Sequence, residues 1–165
     1  MKCPLHLWYL DALLEAFPDA RIIQMHREAA EAIPSLCSLS EIMSDPFTLG
    51  FSRERHGAFF REFCREGIDR SMKVRARLSP DQIVDVRLRD LNQNPVGTVR
   101  SIYDHFDMSW DESRMPGRID AHLRAEKRRS DRHRHRHRYT PDQFGLTPSR
   151  LRAEFEDYES IFLGD

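Results

Sequence analysis

ARIIQMHR, residues 20–27, decides the fold. Ile22, Ile23 and Met25 form a short, nearly continuous apolar run, which predicts a strand covered on both faces in a parallel sheet. The next stretch, EAAEAIPSLCSLSEIM from Glu28 to Met43, is helical in composition, with Ala29, Ala30, Ala32 and Leu36. Within it Pro34 removes one backbone donor and should kink or restart the helix. A strand feeding directly into a helix is the start of an α/β unit. His26 and Arg27 stand at the carboxyl end of that strand, where open α/β sheets bind their ligands.

Upstream, Leu7, Leu10, Leu13, Leu14 and Phe17 recur at helical spacing until Pro18 and Asp19, which predicts a helix of about ten residues and then a turn. Downstream, Asp45 to Gly50 reads as a connection. Phe59, Phe60, Phe63, Ile68 and Met72 mark an amphipathic helix to about Leu78, closed by Ser79-Pro80-Asp81. QIVDVRL gives a second strand around Ile83 to Val86, and NQNP leads into a helix bearing Val96, Val99, Ile102, Tyr103 and Phe106. A turn and another helix are expected over residues 107–125, a basic loop over 126–140, and a final helix carrying Leu151, Phe155, Tyr158 and Phe162. Alternating strands and helices imply an α/β layer architecture with a helix-rich C-terminal half.

The 165 residues fit one domain, and 39% hydrophobic residues with ten Phe exclude disorder of the whole chain. No apolar run approaches the ~20 residues of a membrane span. MKCPLHLWYLDALLEAF carries His6, Asp11 and Glu15 where a signal peptide needs an unbroken apolar core. Cys3, Cys37 and Cys64 are odd in number and widely spaced, so neither a disulfide framework nor a structural metal is expected, and a reducing cytoplasm is the default setting. A formal net charge of -1 gives no general reason to expect nucleic acid as partner. The charge is uneven, however: KRRSDRHRHRHR, Lys127 to Arg138, holds seven of the 26 basic residues with three histidines and one acid.

Three groups of residues could carry chemistry. Arg27 offers a planar fork of donors suited to phosphate, with Ser35 eight residues later on the same helix; an ordinary surface pair between Arg27 and Glu31, with Ser35 capping or back-bonding at Pro34, accounts for the same spacing. Lys2 and His6 form a second pair in KCPLHL, open to reading as a solvated terminus and the start of a helix. His133, His135 and His137 alternate with arginines whose charge opposes a divalent cation, leaving an anion site or a solvated loop rather than a metal site.

KCPLHLWYLDALLEAFPDARIIQMHREAAEAIPSLCSLSEIM resembles the sulfotransferases, in particular bacterial members with a Lys-Ser-Pro-x-His motif. These enzymes move a sulfuryl group from 3'-phosphoadenosine 5'-phosphosulfate to an acceptor. Lys2, Pro4, Arg27 and Ser35 follow the family's order of a Lys-x-Pro turn, a helix, a buried strand ending in Arg, and a Ser eight residues on. NQNPVGTVRSIYDHFDM and HRYTPDQFGLTPSRLRAEFEDY resemble its later segments, so the likeness covers nearly the whole chain. Where relatives commonly have Val-Arg-Tyr-Glu-Asp-Leu, with the Tyr on adenine, this chain has VRLRDL, with Leu88 and Arg89 in place of the aromatic and the acid.

The resemblance implies a parallel sheet of the P-loop nucleotide-binding type flanked by helices, in a single domain over residues 1–165. It implies that Arg27 and Ser35 bind the 3'-phosphate and that Arg136, His137 and Arg138 lie where the family closes over the nucleotide. Lys2 would meet the bridging oxygen of the leaving group, and His6 would serve as base for a small-molecule or glycan hydroxyl acceptor. The family's first strand and its phosphosulfate-binding loop precede the Lys-x-Pro motif. This chain is therefore expected to be the C-terminal portion of such a domain, truncated before that motif, doubtful as a catalyst alone and prone to self-association through an uncovered sheet edge. Two other readings stay open: a non-catalytic nucleotide-binding or anion-binding remnant of the family, and a nucleic-acid-binding module built on Lys127 to Arg138.

Overall fold

Ile22–His26 forms strand β1 and pairs in parallel with β2, Ile83–Arg87, in a register that sets Ile22 against Ile83 and His26 against Arg87. The computed structural model describes residues 3–44, 52–132 and 139–164. Around the strands are helices α1 (Leu10–Ala16), α2 (Ala29–Ser44), α3 (Arg53–Arg75), α4 (Leu88–Gln93), α5 (Pro95–His105), α6 (Met115–Arg132), α7 (Pro148–Glu154) and α8 (Glu156–Phe162). The chain divides into two compact units: Met1–Ala20, Arg27–Leu78 and Tyr139–Asp165 form one, and Arg21–His26 with Ser79–Arg138 form the other.

The first unit is a helical assembly built on α2 and α3. Ala29, Ala30, Ile33 and Cys37 recur on one side of α2 and are buried with Phe60 of α3 and with Phe144, Leu146, Leu151 and Phe155 from the C-terminal segment. Ser52 caps α3, its hydroxyl accepting from Arg55 N–H at 3.4 Å. Two glycines let α3 approach its neighbours: a Cβ at Gly57 would lie 2.0 Å from the Phe144 carbonyl oxygen, and one at Gly67 would lie 2.5 Å from the Trp8 ring. Trp8 in turn stacks on Phe63 with ring centroids 3.8 Å apart. Burial pushes the Cys37 thiol up to about 12 and the Cys64 thiol up to about 11.

Helix α8 is tied to α3 by charge as well as by packing. Arg65 donates to both oxygens of Asp157, at 2.8 and 2.7 Å, and to the Glu154 carbonyl at 3.0 Å, while its guanidinium lies over the Phe155 ring. The Arg65 hydrogen bonds hold the Asp157 carboxyl at about 2. Arg75 lies over Phe162, 4.9 Å from the ring centroid.

The second unit holds the strand pair with α4, α5 and α6. His26 is buried, and its Nε2–H donates to Asp85 at 2.7 Å, so the polar ring is satisfied across the sheet. Arg21 lies over the buried Phe106 ring. Asn94 caps α5, its side chain accepting from Gly97 N–H at 3.0 Å, with Pro95 supplying the fixed φ of a first helical position.

Several expectations need correction. The strand predicted to be covered on both faces is not: Ile23 is 50% and Met25 43% exposed. An apolar run reports what a strand can bury, not what packs against it. The predicted first helix is a 3-10 turn over Pro4–Leu7 followed by the short α1, of which only Leu10 is buried. The basic loop expected from residue 126 is helix as far as Arg132, because Ala, Glu, Lys and Arg are strong helix formers and Glu126 pairs with Arg129 at 3.2 Å. Its remainder, residues 133–138, lies outside the described residues. Helix α4 was not expected between the second strand and NQNP, and the single final helix is two helices that break at Phe155.

Candidate functional site

Arg27 and Glu28 are the two residues that connect β1 to α2 in the chain. Arg27 Nε donates to Glu31 Oε2 at 3.0 Å, the i,i+4 surface pair that the spacing allowed. The side chains are 38% and 59% exposed, so the pair contributes only ~0–1 kcal/mol. Its geometry matters more than its energy. Only Nε is engaged, and among the described residues neither terminal nitrogen of Arg27 has a partner. Glu31 thus engages the guanidinium at Nε and, among the described residues, leaves the two terminal nitrogens to donate to an anion.

Ser35 lies one turn beyond Glu31 on the partly exposed side of α2. Its hydroxyl has no hydrogen-bond partner among the described residues, so the back-bonding expected at Pro34 is not formed. Pro34, fully buried, sits inside an α2 that continues from Ala29 to Ser44, so the expected restart of the helix there does not occur. The opposite side of the same helix carries Ile33 and Cys37 into the core, so α2 is anchored where it presents Ser35, with Arg27 two positions before its first residue.

The backbone at this point has a second anchor. The first turn of a helix leaves N–H groups without intrahelical partners, and Glu28 is not a residue type that caps well. Glu159 of α8 fills the role from 130 positions away: its carboxylate accepts the Ala29 N–H at 2.7 Å. A negative charge at that end also suits the helix dipole. No sequence spacing reveals this contact, and Glu159 was not among the expected residues.

His6 lies in the 3-10 turn Pro4–Leu7, half-buried, and makes no hydrogen bond or ion pair with Arg27 or Ser35 among the described residues. Lys2, Arg136, His137 and Arg138 lie outside the described residues. Tyr139, next in the chain, packs against the core of the first unit. An open concavity between α3 and α8, lined by Arg65, Asp69, Lys73 and Tyr158, and another along β2, lined by Asp85, Arg87, Asn94 and Thr98, contain none of the expected residues. The candidate site is thus the turn at the head of α2. Among the described residues no helix is long and apolar enough to cross a membrane.

Comparison with known proteins bears on this arrangement. Among solved structures, the chain is 29% identical to the sulfotransferase STF1 of Mycobacterium tuberculosis H37Rv, with a TM-score of 0.74, covering 95% of this chain and 39% of that one. It matches the sulfotransferase STF9 of Mycobacterium avium in fold, with a TM-score of 0.76 and 24% identity, covering 98% of this chain and 41% of that one. The chain therefore spans about two-fifths of the length of either relative. The comparison with curated proteins gives no significant match. A family model described as the sulfotransferase family matches residues 1–112, which include the turn at the head of α2, the whole strand pair and helices α2 and α3. On that match, and in the same α/β fold as the two mycobacterial structures, the chain belongs to the sulfotransferase family.

Proposed function

We propose that the protein takes part in moving a sulfuryl group from 3'-phosphoadenosine 5'-phosphosulfate to a hydroxyl acceptor, a small molecule or a glycan, in a cytoplasmic setting. The observation that supports this reading is the Arg27 fork, held at Nε by Glu31 two positions before α2, the helix that carries Ser35; among the described residues neither its terminal nitrogens nor the Ser35 hydroxyl has a partner. That donor set suits the 3'-phosphate, a compact dianion that accepts several charge-assisted hydrogen bonds. Arg136, His137 and Arg138 would add positive charge over the nucleotide.

In the reaction the bond from sulfur to the bridging oxygen of the donor breaks and a bond from sulfur to the acceptor oxygen forms. Lys2 would neutralise charge on the departing oxygen, and His6 would take the acceptor's proton, a role that suits an imidazole near neutral pH. The nucleotide product, adenosine 3',5'-bisphosphate, keeps the 3'-phosphate and so remains a ligand for Arg27 and Ser35.

Calorimetric titration with adenosine 3',5'-bisphosphate tests the site. Arg27→Ala should weaken binding by roughly 2–4 kcal/mol, the scale for truncating one partner of a charge-assisted contact, and Ser35→Ala by less. Equal affinity for wild type and Arg27→Ala would remove the site. Transfer from labelled 3'-phosphoadenosine 5'-phosphosulfate to a panel of hydroxyl compounds tests the activity. Binding without transfer would favour a second reading, a non-catalytic nucleotide-binding member of the family, which the span of two-fifths of its solved relatives makes worth testing.

A further inference from the structure

We propose that Glu159 is a positioning residue for the Arg27–Ser35 anion site, acting through the first turn of α2 without touching the ligand; this rests on the functional reading above. The observation is the 2.7 Å hydrogen bond from Ala29 N–H to the Glu159 carboxylate, which joins residues 130 apart in the chain. Ala29 is the first residue of α2 and stands two positions after Arg27.

The Arg27–Glu31 pair spans this first turn, so it exists only while residues 28–31 hold their helical path. The same turn fixes the eight-residue path from Arg27 to Ser35. Fraying it would release Glu31 from Nε and let the guanidinium sample orientations in which its terminal nitrogens no longer face one point. A phosphate would then have to order the turn as it binds, and affinity would fall accordingly.

Glu159 can do this because its own element is fixed. Helix α8 is bracketed by Phe155, which is fully buried, and Phe162, and it is clamped to α3 by Arg65 through Asp157. The head of α2 is therefore held by the C-terminal helix, which contains none of the residues expected to meet the nucleotide. The carboxylate acts on the site through the helix terminus, its Oε1 accepting the Ala29 N–H.

The test is calorimetric titration of the full chain with adenosine 3',5'-bisphosphate, at a temperature where far-UV circular dichroism shows each variant folded. Glu159→Ala should weaken binding roughly five- to tenfold, within the range set by loss of one helix cap. Glu159→Gln, which keeps an acceptor oxygen at the same reach, should stay within about twofold of wild type. In the Arg27→Ala background, Glu159→Ala should add less than about twofold, because the group it positions is gone. If Glu159→Ala does not fold, Glu159→Asp decides: one methylene shorter, it should bind as weakly as expected for Ala, while Gln does not.

The two levels fail separately. Absence of binding by the wild type, or unchanged binding by Arg27→Ala, overturns the site and the inference together. A weakened Arg27→Ala beside an unchanged Glu159→Ala or Asp overturns the inference alone. So does equal weakening on both backgrounds, or a Gln variant as weak as Ala, since a capping contact predicts neither.

Discussion

Helices α2 and α6 are of similar length, sixteen and eighteen residues, but they are stabilised in different ways. In α2 the positions Ala29, Ala30, Ile33 and Cys37 are buried against α3 and the C-terminal segment, and Glu159 holds the first turn. In α6 every described side chain from Asp120 to Arg129 is exposed, and over that stretch the helix rests on the propensity of Ala, Glu, Lys and Arg with pairs such as Glu126–Arg129, its first turns alone being partly buried. The charge that stands out in the sequence lies on and beyond α6, whereas Arg27, the arginine proposed to meet a phosphate, lies at the head of α2. A binding site needs side chains that return to the same position, and tertiary packing supplies that where local propensity does not.

That contrast can be broken by mutation. Phe155→Ala should show the largest effect, about 4 kcal/mol by urea unfolding, since the ring is fully buried in the cluster that seats α2. A loss below ~1 kcal/mol would mean that this cluster does not seat the helix. Gly57→Ala should come next, at about 3 kcal/mol, because its Cβ would collide with backbone, the Phe144 carbonyl, and not with a side chain that can turn away. A stable Gly57→Ala protein would show that α3 can back off from the C-terminal segment.

Asp157→Asn should cost less, about 0.5–1 kcal/mol at neutral pH, because the carboxylate is 63% exposed and solvent screens its pair with Arg65. Its pH dependence has a definite sign. The folded-state value is depressed to about 2, so the contribution is complete above the unfolded carboxylate value near ~3.9 and is lost as pH falls from there through about 2. Thermal melts between pH 5 and 2 should therefore fall more steeply for wild type than for Asp157→Asn, and parallel curves would exclude the pair as a source of stability. The smallest effect belongs to α6: Arg124→Ala with Arg128→Ala should stay within ~0.5 kcal/mol of wild type. A larger loss would mean that α6 is held by contacts beyond its own helix.

The same contrast separates what was legible in the sequence from what was not. ARIIQMHR and QIVDVRL could be read as strands because β-branched and apolar residues cluster there, and α3 because Phe59, Phe60 and Phe63 recur along an otherwise charged stretch. Arg27 and Ser35 followed from spacing and resemblance. Helix α4 escaped because LRDLNQ abuts Asn94 and Pro95, whose turn chemistry masks the helical turn before it. The run KRRSDR read as loop because charge density suggests solvation, and solvation is compatible with helix. Neither the exposure of Ile23 and Met25 nor the role of Glu159 could be read locally, since one depends on what packs against a strand and the other joins residues 130 apart.

The burial of Cys37 gives the chain an internal timer. The thiolate is the form that attacks an alkylating reagent, and at pH 8 a thiol raised to about 12 offers almost none of it while folded. Cys3 is exposed, so it should be tagged by a maleimide within the mixing time, whereas Cys37 should wait for α2 to part from α3. Cys64, partly accessible and raised to about 11, should fall between them. The slow phase of labelling would then report how often α2, which carries Ser35 and follows Arg27, leaves its seat, and a nucleotide bound at its head should lengthen that interval.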